Sequence, residues 1–195
     1  MQEVVRLKPP KIDTVNIELV GTSSLITNKW SEKAKKMMKD KQSKAATGPK
    51  AARRPKKEFE DSIYRTEDGT PGIPSVAFKA SAVRAGTYSD MKMTFLRGAF
   101  HVMGELVEID GEPTMREDMV RLMGKTSDFR YRAEFKEWRA VVPVQMNASV
   151  LSLEQLANLF VLAGFAVGVG EWRPERNGQH GRFEVGEMTV ARGSS

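Results

Sequence analysis

Phe129 to Met146 read FRYRAEFKEWRAVVPVQM. Phe129, Tyr131, Ala133 and Phe135 alternate with Arg130, Arg132 and Glu134, and Trp138, Ala140, Val142, Val144 and Met146 alternate with Arg139, Val141 and Gln145. A period of two is the mark of a half-buried strand. Two such runs separated by Lys136-Glu137 predict a hairpin. Pro143 has no amide hydrogen to give a ladder, so the second run is expected at an edge or with a bulge. Downstream, Ser152 with Gln155 three residues on is a capping-box spacing that opens a helix. Leu153, Leu156, Ala157, Phe160 and Ala163 form its apolar stripe, Gly164 is expected to end it, and a last strand runs from about Arg182 to Val190. Upstream, Thr14 to Val20 (TVNIELV) is a further alternating strand, and a helix is predicted from a Ser75 cap to about Ala85, with Gly86 as its terminating glycine. A strand near Ala99 to Ile109 turns at Asp110-Gly111. A short amphipathic helix is expected from Glu58 to Tyr64. This order predicts an α+β, ferredoxin-like or RRM-like antiparallel sheet with helices on one face and the other face open. Residues 1–195 read as a single domain that carries a basic insertion at 29–64.

The chain has 195 residues, 40% apolar and 29% charged, with no cysteine and two histidines, His101 and His180. A chain this long buries roughly 70% of its unfolded surface and needs no covalent staple. Without cysteine there is no disulfide scaffold, thiolate metal site or thiol nucleophile, and two histidines do not make a multi-histidine centre. No cofactor is expected. The first ten residues hold no apolar signal-peptide core, and the longest near-apolar run, Leu159 to Gly170, is short of the about 18 residues that span a bilayer. A cytoplasmic protein without a membrane partner is the expectation.

Charge is distributed unevenly. Lys29 to Lys57 holds twelve Lys/Arg against Glu32 and Asp40, a local +10 within a net +6, which leaves a mildly acidic remainder. Residues 31–46 predict a mostly solvated helix capped by Ser31, and residues 43–57 (SKAATGPKAARRPKK) an extended loop, because like charges repel and Gly and Pro break structure. Lys33, Lys36, Lys39, Lys41, Lys44, Lys50, Arg53, Arg54, Lys56 and Lys57 are the candidate phosphate contacts, each releasing condensed counterion. A solubility device usually mixes signs, which this segment does not. It also lacks the interleaved apolar side chains of a membrane-surface helix.

A second constellation is the stretch GFAVGVGEWRPERNGQHG, residues 164–181. Glycines let backbone approach phosphate, Arg173, Arg176 and Arg182 offer bidentate contacts, and Trp172 could stack on a base. The spacing is neither a Walker A loop nor a dinucleotide fingerprint. An ordinary turn-rich connection with Trp172 in the core accounts for it equally well. In the alternating run, the aromatics at 129, 131 and 135 are expected in the core, which leaves Arg130, Arg132 and Arg139 outward. His180 could act as a general base, although a lone loop histidine is more often a surface residue. The acids are too scattered for metal-ligand spacing, so no enzyme activity is expected.

Two segments carry a family resemblance. Gly72 to Arg84, GIPSVAFKASAVR, resembles the "IPGSS-hydrophobic-KGALR" signature of the RAMP superfamily, and Gly168 to Phe183 resembles its C-terminal glycine-rich loop. Ala80 stands where that signature usually has glycine, and Val76-Ala77-Phe78 replaces a smaller run. The chain also resembles a family of bacteriophage proteins with a GEWRPE motif, here Gly170 to Glu175. RAMP proteins include backbone subunits of CRISPR effector complexes, which have a ferredoxin-like core and polymerise along single-stranded RNA. The resemblance implies an RRM-like palm, a thumb-like or finger-like basic insertion, side-by-side assembly, and roles for Lys79 and Arg84 beside the glycine-loop arginines. The expected function is single-stranded nucleic-acid binding, DNA favoured, with oligomerisation along the strand in phage replication or recombination. A RAMP-type RNA-binding subunit or endoribonuclease, and a virion or assembly protein, are the alternatives.

Overall fold

β1 (Ile12–Gly21) alternates as its sequence requires, with Val15, Ile17 and Leu19 fully buried and Asn16, Glu18 and Val20 half-exposed. The computed structural model describes residues 9–29, 38–39, 42–43, 53–122 and 126–191. After β1 come β2 (Leu25–Thr27), α1 (Pro55–Asp61), β3 (Tyr64–Arg65), β4 (Pro71–Pro74), α2 (Ser75–Ala85), α3 (Met93–Ala99), β5 (Phe100–Val102) and β6 (Leu106–Glu108). Then follow β7 (Pro113–Leu122), β8 (Thr126–Phe135), β9 (Arg139–Asn147), α4 (Leu153–Leu162) and β10 (Phe183–Ala191). The main sheet has the order β10-β1-β9-β5 and is antiparallel throughout. With α2 between β1 and β5 in the chain and α4 between β9 and β10, this is the βαββαβ arrangement of a ferredoxin-like α+β fold. The core lies between that sheet and the two helices. Phe183 meets Phe78 of α2 and Trp138 edge-on at 6.4 and 6.2 Å, and Phe100 meets Phe160 of α4 at 6.4 Å.

The capping box forms at α4. Ser152 Oγ accepts from Gln155 N at 3.1 Å and Gln155 Oε1 from Ser152 N at 2.9 Å. Leu156 and Phe160 are buried, but Leu153 is 40% exposed. Gly164 does not end the helix. The chain winds on through a π turn, Ala163–Val167, and stops at Gly168 with φ 71°. Gly164 serves contact instead, since a Cβ there would stand 1.9 Å from the Phe183 carbonyl oxygen. Gly86 likewise has φ −54° and continues α2 into a 3-10 turn, where a Cβ would strike Leu96 at 2.3 Å. Ser75 is the first residue of α2, not its cap, and its hydroxyl donates to the Gly104 carbonyl at 2.6 Å. The predicted helix at 58–64 lies earlier, at α1, and 99–109 is two short strands, not one.

The two runs of 129–146 are strands, but they do not pair with each other. β8 pairs with β7 along its whole length and with β2 at residues 133–135, in a separate three-stranded sheet. β9 pairs with β1 and β5. Lys136-Glu137 therefore turns a corner between sheets. Pro143 sits in a central strand without a bulge. Its carbonyl accepts from Met103 N at 2.8 Å, so its missing donor faces the β5 side, one residue beyond the last pair, Val102↔Val144. β3, β4 and β6 form a third small sheet beside the palm.

Candidate nucleic-acid interface

The outer face of α2 alternates small and basic residues, and the chain brings two other basic elements against it. Val76, Lys79, Ala80, Val83 and Arg84 of α2, Met93 and Arg97 of α3, and Glu175 line a groove of about 330 Å³. It abuts a cavity of about 250 Å³ between Ala77, Ala80 and Ser81 of α2 and the backbone of Val167 to Gly170, with Arg173, Glu175 and Arg176 at its margin. Lys79, Arg84, Arg97, Arg173 and Arg176 thus face a single acid, Glu175. Lys79 Nζ donates to the Arg97 carbonyl at 3.0 Å and lies 2.9 Å from His101 Nδ1. Glu175 bridges Arg84 at 3.3 Å and Arg173 at 2.8 Å, tying α2 to the glycine-rich loop. Arg173 also donates to the Gly170 carbonyl at 3.0 Å, so it organises the loop from within, whereas Arg176 is exposed. Ser81 is 3% exposed, and its hydroxyl has no hydrogen-bond partner. A buried unsatisfied hydroxyl in the wall of a cation-rimmed cavity is a donor without an acceptor.

The glycines of the loop are explained by the protein's own backbone. Added Cβ atoms would lie 2.5 Å from the Ile26 oxygen at Gly170, 1.7 Å from the Trp172 oxygen at Gly178 and 1.7 Å from the Val169 oxygen at Gly181. This close folding displays Trp172, which is not in the core: it is 47% exposed at φ 55°, with its carbonyl bound by His180 N at 3.0 Å. His180 is half-buried. Its Nδ1 lies 2.8 Å from Ser24 Oγ, which lies 2.8 Å from Glu134 Oε1. Serine has one hydroxyl proton and a carboxylate only accepts, so that proton goes to Glu134 and His180 Nδ1 donates to Ser24. Glu134 is also held by Arg116 at 3.0 Å, and Arg116 by Asp118 at 2.8 Å. The Asp118 hydrogen bond raises the Arg116 pKa further, against the opposing effect of burial.

Arg132 ends this network and is a correction to the sequence reading. It is 7% exposed and paired with Asp118 at 3.4 Å, so it does not face outward. Arg130 is partly exposed, 3.7 Å from Asp128. Of the aromatics on that strand, Phe135 is buried, Tyr131 half-buried and Phe129 49% exposed. None lies on the palm. The open palm face carries Glu18, Arg139, Val141, Glu184 and Glu187, and a cleft on it of about 660 Å³ adds Glu108 and Asp110. Its acids outnumber its cations, which makes it the wrong side for a polyanion.

Of the basic segment, Lys33, Lys36, Lys41, Lys44 and Lys50 lie outside the described residues, as does most of the helix expected from Ser31. Lys39, Arg54 and Lys56 are exposed. Both roots of the segment are pinned. Lys29 N donates to the Ser62 carbonyl at 3.0 Å, and Lys29 Nζ lies 5.9 Å from the centre of the Tyr64 ring. Arg53 pairs with Asp128 at 2.6 Å and donates to the Phe129 carbonyl, and Lys57 pairs with Asp61 at 3.3 Å. The sequence reading missed Arg97 and Ser81. Arg97 sits in a helix with no clear periodicity, and an unsatisfied hydroxyl leaves no trace in a linear pattern. Among the described residues no helix is long and apolar enough to cross a membrane, and no group of three or more His, Asp or Glu side chains could hold a metal ion.

No family model matches the chain, and no curated protein matches it. Solved structures do. A chain of type III-B Cmr-beta bound to cognate target RNA superposes with a TM-score of 0.54 at 10% identity, over 94% of this chain and 62% of that one. Cmr6 from Pyrococcus furiosus superposes with a TM-score of 0.43 at 12% identity, over 89% of this chain and 98% of that one. This chain therefore spans less than two thirds of the Cmr-beta chain it resembles. At this identity the likeness is one of fold, and the fold that sequence order, sheet topology and the Cmr-beta superposition agree on is ferredoxin-like.

Proposed function

We propose that the protein binds single-stranded nucleic acid without cutting it, laying the sugar–phosphate chain along the groove between α2, α3 and the glycine-rich loop. The observation that carries this reading is the cavity at Ser81. It offers a buried, unpartnered hydroxyl beside Arg173, Arg176 and Glu175, and it abuts the groove that adds Lys79, Arg84 and Arg97. A phosphate oxygen would accept from Ser81 while Arg176 neutralises its charge, and Lys79 and Arg97 would hold the strand in the adjoining groove. The basic segment Lys29–Lys57 extends the same electrostatic attraction, and assembly of copies side by side would continue the track. DNA is the strand favoured by the bacteriophage-family resemblance, with a role in phage replication or recombination. RNA is the second reading, supported by the fold neighbour's being bound to cognate target RNA.

Anisotropy of labelled poly-dT, poly-rU and a duplex tests the proposal. Both single strands, or one of them, should outbind the duplex. Six phosphate contacts would weaken binding roughly a thousandfold between about 50 and 200 mM salt. Ser81→Ala should lower affinity several-fold while leaving stability level or up to about 1 kcal/mol higher, because it deletes an unsatisfied buried group. A flat salt response, or preference for duplex, sinks the proposal.

A further inference from the structure

Phe165 lies in the π turn after α4 and is 68% exposed, more than Phe95, Phe129 or Trp172. The Arg182 guanidinium sits over this ring, 5.6 Å from its centre. Gly164 makes the approach possible, because the π turn packs directly on the Phe183 carbonyl and sets residues 165 and 182 side by side. The Arg182 backbone is clamped on both sides: its N–H donates to Ser23 Oγ at 3.0 Å and its carbonyl accepts from Thr22 N at 2.9 Å. Gly181 before it donates to the Ser24 carbonyl at 2.8 Å. Among the described residues, no carboxylate lies within ion-pair reach of Arg182. Of the arginines on α2 and in the glycine-rich loop at the candidate groove, Arg84 and Arg173 have such a partner, both meeting Glu175. Arg182 is therefore a half-buried cation held over an aromatic ring on a clamped backbone, with no ion-pair partner among the described residues.

We propose that the Phe165–Arg182 pair is a nucleobase subsite, in which a base of an unpaired strand stacks on the outer face of the guanidinium. The inference rests on the single-strand reading above, and it names what part of the strand this surface takes. A stacked guanidinium accepts any base, since every base presents a π face, and its cost is low because Phe165 and the clamped backbone already hold it in place. Phosphate alone would be served by a flexible cation in no particular plane. The phenyl platform beneath is what a planar ligand needs. His180, bound to the Trp172 carbonyl, ties the Trp172 backbone to the same loop two residues before Arg182.

The test compares an oligonucleotide with an abasic strand of equal length and charge, using the intact protein. Wild type should bind the base-bearing strand more tightly, by about 5-fold to 150-fold for a stacked base. Arg182→Lys keeps the charge and loses the plane, and Phe165→Ala removes the platform from an exposed position. Each should erase at least a fivefold part of the advantage for the base-bearing strand and leave abasic binding within about twofold of wild type. Equal loss on both strands would mean a phosphate contact or a structural role, and no loss on either would mean no contact; each of these overturns the subsite and leaves the single-strand reading standing. Failure of wild type to bind either strand removes both.

Discussion

The left-handed turn at Trp172 costs the backbone of a bulky residue roughly 1–2 kcal/mol, and the loop around it is built to hold that turn. Gly178 and Gly181 are the residues that allow it, since each abuts a carbonyl oxygen at 1.7 Å where a Cβ would stand. Glycine is not equivalent everywhere, however. Gly98 lies in α3 with nothing within 4 Å of an added Cβ. Gly181→Ala should therefore lose about 3 kcal/mol from combined overpacking and left-handed strain, and Gly98→Ala should gain about 0.5–1 kcal/mol from reduced unfolded-state entropy. Denaturant midpoints of the two variants measure this, and opposite signs are the expected outcome. At this scale the sequence is informative about residue type and silent about reason. The glycine-rich stretch is visible in it, but whether its glycines serve a phosphate or a carbonyl of the same chain is not. Only the folded backbone decides between these, and it favours the carbonyls.

Among the elements, the β7–β8 ribbon departs furthest from the sequence expectation. The alternation at 129–146 identifies two strands but carries no information about their partners. A signal is present in Lys136-Glu137. A two-residue hairpin loop favours residues that take positive φ, such as Asn-Gly, and Lys-Glu lacks them. β7, PTMREDMVRL, does not announce itself as a strand, because Met115 and Met119 alternate with charges only sparsely and both are at least half-exposed. Where a strand is solvated on both faces, period two fades. By contrast the capping box, the α4 stripe and the β1 alternation are legible, since each bears on local geometry or on one buried face. The ribbon also makes a titration testable. Tyr131 stands opposite Glu117, and its hydroxyl donates to that carboxylate, which pushes its ionisation above the usual 10.0, with desolvation and the carboxylate's charge acting in the same direction. The neutral phenol is the form the contact holds. Its stabilisation is thus fully present below the unfolded value near 10 and is lost as pH rises through the higher folded value. In an ultraviolet phenolate titration, one of the three tyrosines should lag, and that lagging component should vanish in Tyr131→Phe.

Taken whole, the molecule separates its charges. Cations gather on the outer side of α2 and the glycine-rich loop, and acids prevail on the open palm. Part of this is legible, because the net count already divides a basic segment from an acidic body. Its sidedness is not, because residues 79, 84, 97, 173 and 176 meet only through the fold. Replacing the Lys and Arg of residues 29–57 other than the root residues Lys29, Arg53 and Lys57 by Gln should leave the melting temperature close to wild type. It should shallow the log–log salt dependence of strand binding by about 0.7–0.9 for each phosphate no longer neutralised. An unchanged slope would show that the folded groove does all the binding. The sheet has another implication, for how the chain comes to exist. Among the described residues its central strand, β1, pairs only with β9 and β10, which lie far along the sequence. During synthesis that strand must wait on the ribosome without a partner while its three buried aliphatic side chains stay wet, and closure over so long a loop is slow. A nascent chain of this design depends on whatever shields its first strand until residues 139–191 emerge.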